Sequence, residues 1–228
     1  MCATCGCSDN TATLTLEERV LARNDHLAGH NRAWLSERAI LAVNLMSSPG
    51  SGKTTLLERT IHDLGPTVPI SVIEGDQETS YDADRIRAAG CTRTIQLNTG
   101  SGCHLDATML SGALEGLDPP KRSIVLIENV GNLVCPALFD LGEQCRVVIM
   151  SVPEGADKPR KYPHMFQTAD LVLLNKIDLL SYVEFELDAF GQALHQVNPK
   201  TQVLQISATK GDGLADWYSW LQENRIAA

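Results

Sequence analysis

The sequence predicts an α/β fold, a mostly parallel β-sheet with helices on both faces, preceded by a flexible N-terminal tail and a helix. Three observations support this prediction. Apolar, β-prone segments alternate with amphipathic stretches along most of the chain. The β-prone segments are apolar on both faces, which is typical of parallel strands covered by helices on both sides of a sheet. A glycine-rich loop separates the first of these segments from the amphipathic stretch that follows it.

The predicted elements follow in chain order. Residues 1–13 are rich in cysteine and threonine and are expected to form the tail. A helical segment spans 14–38, where Thr15 followed by Glu17 is a favourable helix start. Residues 39–228 form the sheet domain. Its strands are predicted at 40–46, 70–74, 94–97, 123–127, 146–152, 171–174 and 202–206, and its helices at 54–63, 80–89, 105–115, 181–195 and 214–224.

Composition excludes several classes of function. The chain has 228 residues, 43% of them hydrophobic, which suffices for one large domain with appendages. Because the formal net charge is −9 and no basic cluster with interleaved aromatic residues is present, we expect no nucleic-acid and no membrane binding. The apolar runs are about as long as strands, too short for a bilayer span. Cysteines without a secretion signal predict a cytoplasmic location.

The glycine-rich loop predicts a phosphate-binding site of the P-loop NTPase type. The first strand runs into Ser47-Ser-Pro-Gly-Ser-Gly-Lys-Thr-Thr55 and then a helix, although the strict pattern begins with Gly rather than Ser. Gly50 and Gly52 let backbone N–H groups point at phosphate oxygens. Lys53 would reach the β- and γ-phosphates, and Thr54 would bind Mg2+. We expect nucleotide contacts from Pro49, Gly50, Ser51, Gly52, Lys53, Thr54 and Thr55.

Two later loops predict that the base is guanine. Asn175-Lys-Ile-Asp178 follows the strand 171–174, and the Asp178 carboxylate can accept both N–H donors of guanine, a pair that adenine lacks. Asn175 and Lys176 would brace the loop and cover the base. A third base-contacting loop is expected at Ser207, Ala208 and Thr209, although G proteins usually have Lys where Thr209 stands. GTP hydrolysis to GDP and phosphate is therefore the expected reaction.

Two acids and a glycine complete the predicted nucleotide site. Glu128 ends the strand 123–127, in the place of an Mg2+-linked acid, and Gly131 can approach the γ-phosphate. Asp76 follows the strand 70–74, where it would orient the attacking water or hold Mg2+; a solvated turn acid is the alternative. The predicted catalytic residues are Lys53, Asp76 and Glu128, and the predicted magnesium ligands are Thr54, Asp76 and Glu128.

The N-terminal tail carries three closely spaced cysteines, Cys2, Cys5 and Cys7. The gap between Cys2 and Cys5 lets both thiolates face one metal ion, and Gly6 lets the backbone fold so that Cys7 joins them. Soft thiolates suit nickel, copper or zinc. A redox pair, a disulfide framework and an unused disordered end are the alternatives to metal binding.

A second set of metal ligands is predicted at the sheet edge. Cys103 and His104 follow the strand 94–97, and Cys135 lies seven residues after Glu128. All three residues come after the carboxyl ends of strands, where ligands collect in open parallel sheets. Two thiolates and one imidazole suit nickel or zinc, and a metal there would be coupled to the nucleotide through the segment that begins at Glu128. The alternative is that the cysteines are small buried hydrophobes, a description that fits Cys91 and Cys145 better.

Taken together, these motifs resemble the HypB family of hydrogenase nickel-incorporation GTPases. The resemblance spans essentially the whole chain and rests on the N-terminal Cys-Ala-Thr-Cys-Gly-Cys, the loop 47–55, Glu74-Gly-Asp76, Cys103-His104, 128–135 and 175–178. It implies a SIMIBI-type G domain in a cytoplasmic protein that helps deliver nickel to the large subunit of NiFe hydrogenase. It also implies a nickel site in the tail, nickel or zinc at the inner cysteines, a GTP-promoted homodimer and a small zinc-containing nickel chaperone (HypA) as partner.

Three alternatives remain open at the level of sequence. Urease accessory GTPases share the nucleotide motifs, but they usually bind metal through a Cys-Pro-His motif that this chain lacks. A passive nickel or zinc buffer with a vestigial nucleotide site is disfavoured by intact Lys53, Thr54 and Asp178. Asp178 also counts against a nucleoside or small-molecule kinase.

Overall fold

Seven parallel strands form one sheet, which confirms the predicted fold class. The computed structural model describes residues 9–76, 80–100 and 102–228. The strands pair in the order β3-β2-β4-β1-β5-β6-β7, and each of these pairs is parallel. They are β1 Leu41–Ser47, β2 Ile70–Asp76, β3 Thr94–Asn98, β4 Ile124–Glu128, β5 Cys145–Ser151, β6 Leu171–Asn175 and β7 Gln202–Gln205.

The helices agree with the prediction less closely than the strands do. They are α1 Asp9–Ser36, α2 Lys53–Leu64, α3 Tyr81–Ala88, α4 Ala107–Leu117, α5 Cys135–Leu138, α6 Lys158–Lys161, α7 Pro163–Gln167, α8 Leu187–Val197 and α9 Leu214–Ala227. The prediction omitted α5, α6 and α7, because four or five residues are too few to show helical periodicity. Helix α8 begins six residues later than position 181. Among the described residues, no helix is long and apolar enough to cross a bilayer.

Helix α1 begins at Asp9, five residues before the expected start at Leu14. Aspartate and asparagine at positions 9 and 10 are residue types that favour a helix start, a signal the prediction did not use. The tail predicted at 1–13 therefore overlaps the helix by five residues. The division into tail, helical segment and GTPase domain otherwise stays a prediction.

The central strands of the sheet are buried on both faces, as their apolar residues indicate, whereas the edge strand β3 is half-buried and the edge strand β7 is mostly exposed. In β1, Leu41, Val43 and Leu45 pack in the cluster formed with α2 and α9, whereas Ala42 and Met46 face the opposite side. On the first side the indole N–H of Trp217, a fully buried residue, donates to Thr60 Oγ1 at 3.0 Å. Alternate residues of one strand therefore pack on opposite faces of the sheet, which fixes the strand register.

Helix α1 is attached to the sheet domain by buried amides. Asn31 Nδ2 donates to the carbonyl oxygens of Ala107 (2.8 Å) and Leu141 (2.9 Å), and Asn24 Nδ2 donates to Asp140 O (2.7 Å). The backbone N–H of Ala107 donates in turn to Asn24 Oδ1 at 2.9 Å. These bonds hold α1 alongside α4 in a defined position.

Candidate functional site

A cleft of about 510 Å³ opens at the carboxyl ends of β1, β2 and β4. This is the edge at which the sequence predicts the nucleotide. The walls come from the glycine-rich loop, from β2 with the start of α3, and from the segment after β4. The lining residues are Pro49, Gly50, Gly52, Lys53, Thr54, Thr55, Glu74, Gly75, Asp76, Asp82, Arg85, Glu128, Asn129, Val130, Gly131 and Lys176.

The glycine-rich loop has the backbone of a phosphate-binding loop. Gly52 has φ 98° and caps the N-terminus of α2, and a Cβ there would lie 2.5 Å from Asn175 Nδ2, so no other residue fits. The buried ammonium of Lys53 donates to Ser47 Oγ at 2.8 Å. Burial lowers the pKa of Lys53, while the nearby carboxylate of Glu128 opposes that change. The serine in place of the usual first glycine thus supplies a hydroxyl to the lysine.

Glu154, for which no role was predicted, holds the glycine-rich loop in place through hydrogen bonds. It lies in the 3-10 turn Val152–Glu154 after β5. Its carboxylate accepts from the hydroxyls of Ser48 and Ser51, the latter at 2.9 Å. It also accepts from the N–H of Ser151 at 2.8 Å. The loop is therefore fixed by a side chain that stands about 100 residues away in sequence.

Two buried acids lie side by side in the cleft. Glu74 and Glu128 are direct register partners on β2 and β4, and Thr54 Oγ1 donates to Glu128 Oε1 at 2.9 Å. Burial raises the pKa of Glu74 to about 8, with Glu128 and Asp76 adding to the effect. Burial also raises the pKa of Glu128 to about 7, against the opposing effect of Lys53.

The two acids and Thr54 suit a hard divalent cation. One carboxylate oxygen of each glutamate is buried without a hydrogen-bond partner among the described residues. Oxygen ligands of this kind, beside a hydroxyl and a phosphate-binding loop, are what Mg2+ prefers. No role was predicted for Glu74, although an acid at the end of the mostly apolar segment 70–74 is a signal for one. Asp76 ends β2 as part of the strand and also lines the cleft, rather than lying in a turn.

The loops predicted to read the base meet the glycine-rich loop through hydrogen bonds. Asn175 Nδ2 donates to Ser51 O at 2.9 Å, and the N–H of Ala208 donates to Asn175 Oδ1 at 3.0 Å. Lys176 has φ 62° and its ammonium donates to Gly50 O at 2.7 Å. The hydroxyl of Ser207 donates to Asp178 Oδ1 at 2.6 Å. Thr209 is exposed and lies outside the lining of the cleft.

The inner cysteines and histidine converge, although they come from two loops. The ligand atoms of Cys103, His104 and Cys135 lie within 4.8 Å of one another. The two sulfurs are 2.7 Å apart, and Cys103 Sγ is 3.6 Å from His104 Nδ1. The imidazole stacks on Phe139 with ring centroids 3.8 Å apart, and burial lowers the pKa of His104. A neutral imidazole beside two thiols is a donor set for zinc or nickel.

The two other described cysteines lie apart from this cluster. Both Cys91 and Cys145 are buried, and burial raises the pKa of Cys145 to about 12. The thiol of Cys91 faces the carbonyl of Ile70 at 3.5 Å. They have the environment of small buried hydrophobes. Cys2, Cys5 and Cys7 lie outside the described residues, so the tail site stays a prediction.

One short segment joins the cleft to the cysteine cluster. It runs from Glu128 to Cys135, which begins α5. Gly131 lies against Pro49 so closely that a Cβ on it would come 3.1 Å from the proline backbone. Asn129 Oδ1 accepts from the N–H of Leu105 at 3.2 Å, which ties the segment to the residue after His104.

Comparison with known proteins agrees with this arrangement. The family model described as CobW/HypB/UreG, nucleotide-binding domain, matches residues 41–205. Hydrogenase maturation factor HypB from Escherichia coli K12 is 53% identical over 214 residues, covering 94% of this chain and 73% of the relative.

Two solved structures are similar along most of the chain. HypB from Archaeoglobus fulgidus superposes with a TM-score of 0.82 at 39% identity, covering 90% of this chain and 99% of that one. HypB from Helicobacter pylori, solved in complex with nickel, superposes with a TM-score of 0.83 at 36% identity, covering 90% and 96%. The chain therefore has a nucleotide-binding P-loop domain and belongs to the HypB hydrogenase maturation factors of the CobW/HypB/UreG family.

Proposed function

We propose that this protein is a GTP-hydrolysing nickel metallochaperone that assists nickel insertion into the large subunit of NiFe hydrogenase. The observation that carries the proposal is the segment from Glu128 to Cys135, which borders the nucleotide cleft at one end and supplies a thiol to the cysteine cluster at the other. The nickel complex of the Helicobacter pylori relative supports nickel as the metal.

The proposed hydrolytic site uses the cleft residues in distinct roles. Lys53 and the loop N–H groups bind the phosphates, and the base loop at Asp178 selects guanine. Glu128, Thr54 and Asp76, joined by Glu74, would hold Mg2+, which would supply positive charge to the phosphates. The buried position of Glu128 beside Thr54 supports this role. Gly131 approaches the γ-phosphate because it already lies against the loop.

Metal binding in this proposal depends on the nucleotide. A γ-phosphate at Gly131 would reposition the segment that carries Cys135, and metal at Cys135 would in turn change nucleotide affinity by the same factor. The three inner ligands, Cys103, His104 and Cys135, leave a coordination position for water, for a second copy of the chain in a GTP-promoted homodimer, or for a transfer partner. We expect a HypA-type chaperone as that partner, a cytoplasmic location, and Cys2, Cys5 and Cys7 as the acquisition site.

A metal titration tests the coupling. Nickel binding to the full chain is measured by calorimetry with GDP and with a non-hydrolysable GTP analogue, for wild type, Cys135→Ala and the control Cys91→Ala. We expect inner-site affinity to differ between the two nucleotides in wild type and in Cys91→Ala, and the difference to vanish in Cys135→Ala. Equal wild-type affinity with both nucleotides would remove the coupling from the proposal.

A turnover measurement separates the proposal from the passive metal buffer. We expect phosphate release from GTP in wild type and its loss in Lys53→Ala. Among the described residues, Lys53 is the only buried lysine that lines the cleft. Undetectable release in wild type would favour the buffer. Activation of urease in place of hydrogenase, in cells that contain both enzymes, would favour the urease-type role.

A further inference from the structure

Helix α1 carries two exposed histidines one turn apart, His26 and His30. Their ring centroids are 4.7 Å apart and the ring planes meet at 71°. Among the described residues, neither imidazole has a hydrogen bond or an ion pair to hold it. The pair lies outside both the nucleotide cleft and the cysteine cluster, so neither site accounts for it.

The spacing allows the two imidazoles to bind the same metal ion. Residues four apart on an α-helix face the same side, with Cβ atoms about 5–6 Å apart. Two histidines at this spacing bind one zinc ion on the helix of metalloproteases. Exposed rings at this separation need only a rotation about their χ angles for one nitrogen of each to reach about 2.0–2.1 Å from a shared ion.

The helix that presents the pair is held in place from its other face. Asn24 and Asn31 anchor the opposite face of α1 through buried hydrogen bonds, so the histidines stay at the surface. A cavity of about 300 Å³ between α1 and α4 is lined by His30 together with Glu37 and Glu115.

We propose that His26 and His30 together bind one borderline divalent cation, Ni2+, Cu2+ or Zn2+, with water completing its coordination. Imidazole nitrogen selects these ions over Mg2+ and Ca2+, which prefer oxygen. With two protein ligands, the site is more open than the three-ligand cysteine cluster. It stands on the helix that follows the three tail cysteines in sequence, and metal binding there would not require GTP hydrolysis.

An NMR titration of the full chain with Zn2+ tests the site through the resonances of the two histidines themselves. Imidazole resonances of His26 and His30 are followed beside those of His195, an exposed histidine on α8 with no histidine one turn away. Because two ligands on one rigid helix act as a chelate, we expect both to shift together at a Zn2+ concentration at least about tenfold below that for His195.

The single variants separate chelation from independent binding. In His30→Ala, the Zn2+ concentration that half-shifts the His26 resonance should rise about tenfold, to the concentration that half-shifts His195. The control His195→Ala should leave the responses of His26 and His30 unchanged. Alanine is the strongest helix former, so loss of α1 would not explain such a change. The proposal is overturned if His26 and His30 respond only at the concentration that shifts His195, or if His30→Ala leaves His26 unaffected.

Discussion

Asn175 is expected to act as a brace between two nucleotide-binding loops rather than as a contact to the base. The residue is 1% exposed, and its side-chain amide makes two hydrogen bonds, one to Ser51 O and one from the N–H of Ala208. Both partners are themselves buried. Asn175→Ala would therefore leave a carbonyl and an N–H without partners in the interior.

The size of the effect follows from these two bonds. Each contributes about 1 kcal/mol to stability, and each orphaned buried partner costs about 1–3 kcal/mol unless it relaxes toward water. We expect Asn175→Ala to lower the free energy of unfolding by about 2–4 kcal/mol, which for a domain of this size lowers Tm by roughly 5–15 °C. Because Ser51 and Ala208 are both predicted nucleotide contacts, GDP affinity should fall as well.

Urea denaturation measures the free energy of unfolding, and titration with fluorescently labelled GDP measures the affinity, both on the same protein. The matched control is Asp178→Asn. Among the described residues, the wild-type Asp178 carboxylate accepts one hydrogen bond, from the hydroxyl of Ser207. That variant should lose the preference for guanine over adenine with a stability change below about 1 kcal/mol. The reasoning fails if Asn175→Ala unfolds at the wild-type urea concentration, or if Asp178→Asn is equally destabilised.

Two further predictions concern the acids around the cleft. The folded protein favours the protonated form of Glu74, since burial raises its pKa from an ordinary 4.5 to about 8, so this group costs stability as pH rises through that range. In metal-free protein, Glu74→Gln should therefore stabilise the fold by up to about 3 kcal/mol at pH 7 and by less than about 1 kcal/mol at pH 5. Denaturation in EDTA measures both values. A variant less stable than wild type at pH 7 would contradict this prediction. Glu154→Ala should weaken GDP binding about tenfold, because Ser48 and Ser51 lose their shared acceptor, whereas Glu154→Gln keeps an acceptor and should bind more tightly than Glu154→Ala. Equal GDP affinity in wild type and Glu154→Ala, in a fluorescence titration, would remove the role of Glu154.

The features that could be predicted from sequence are those with a local signal. The central strands are mostly apolar segments of ordinary strand length, and all seven predicted segments match β1 to β7 within two residues at each end. The phosphate loop follows from its spacing. The convergence of Cys103, His104 and Cys135 was predictable in outline, because each follows a strand whose carboxyl end lies at one edge of the sheet.

The features that could not be predicted depend on strand order. Glu74 meets Glu128 because β2 lies beside β4, and adjacency of strands that are about 50 residues apart in sequence leaves no local pattern. Glu154 reaches the phosphate loop because β5 lies beside β1, and it stands in a turn too short to show periodicity. In both cases the missing information is the position of a long-range neighbour, and not the chemistry of the residue.

The same strand order connects the two proposed sites through one residue, Leu105. Gly75 stands between Glu74 and Asp76, and a Cβ on it would come 2.9 Å from the side chain of Leu105. The strand end that would hold Mg2+ therefore packs against the residue that follows His104. Asn129 makes a second connection to the N–H of Leu105, from the end of β4. Coupling between nucleotide and metal then needs no long pathway, since a shift of either strand end on Mg2+ binding would press on the loop that carries the imidazole.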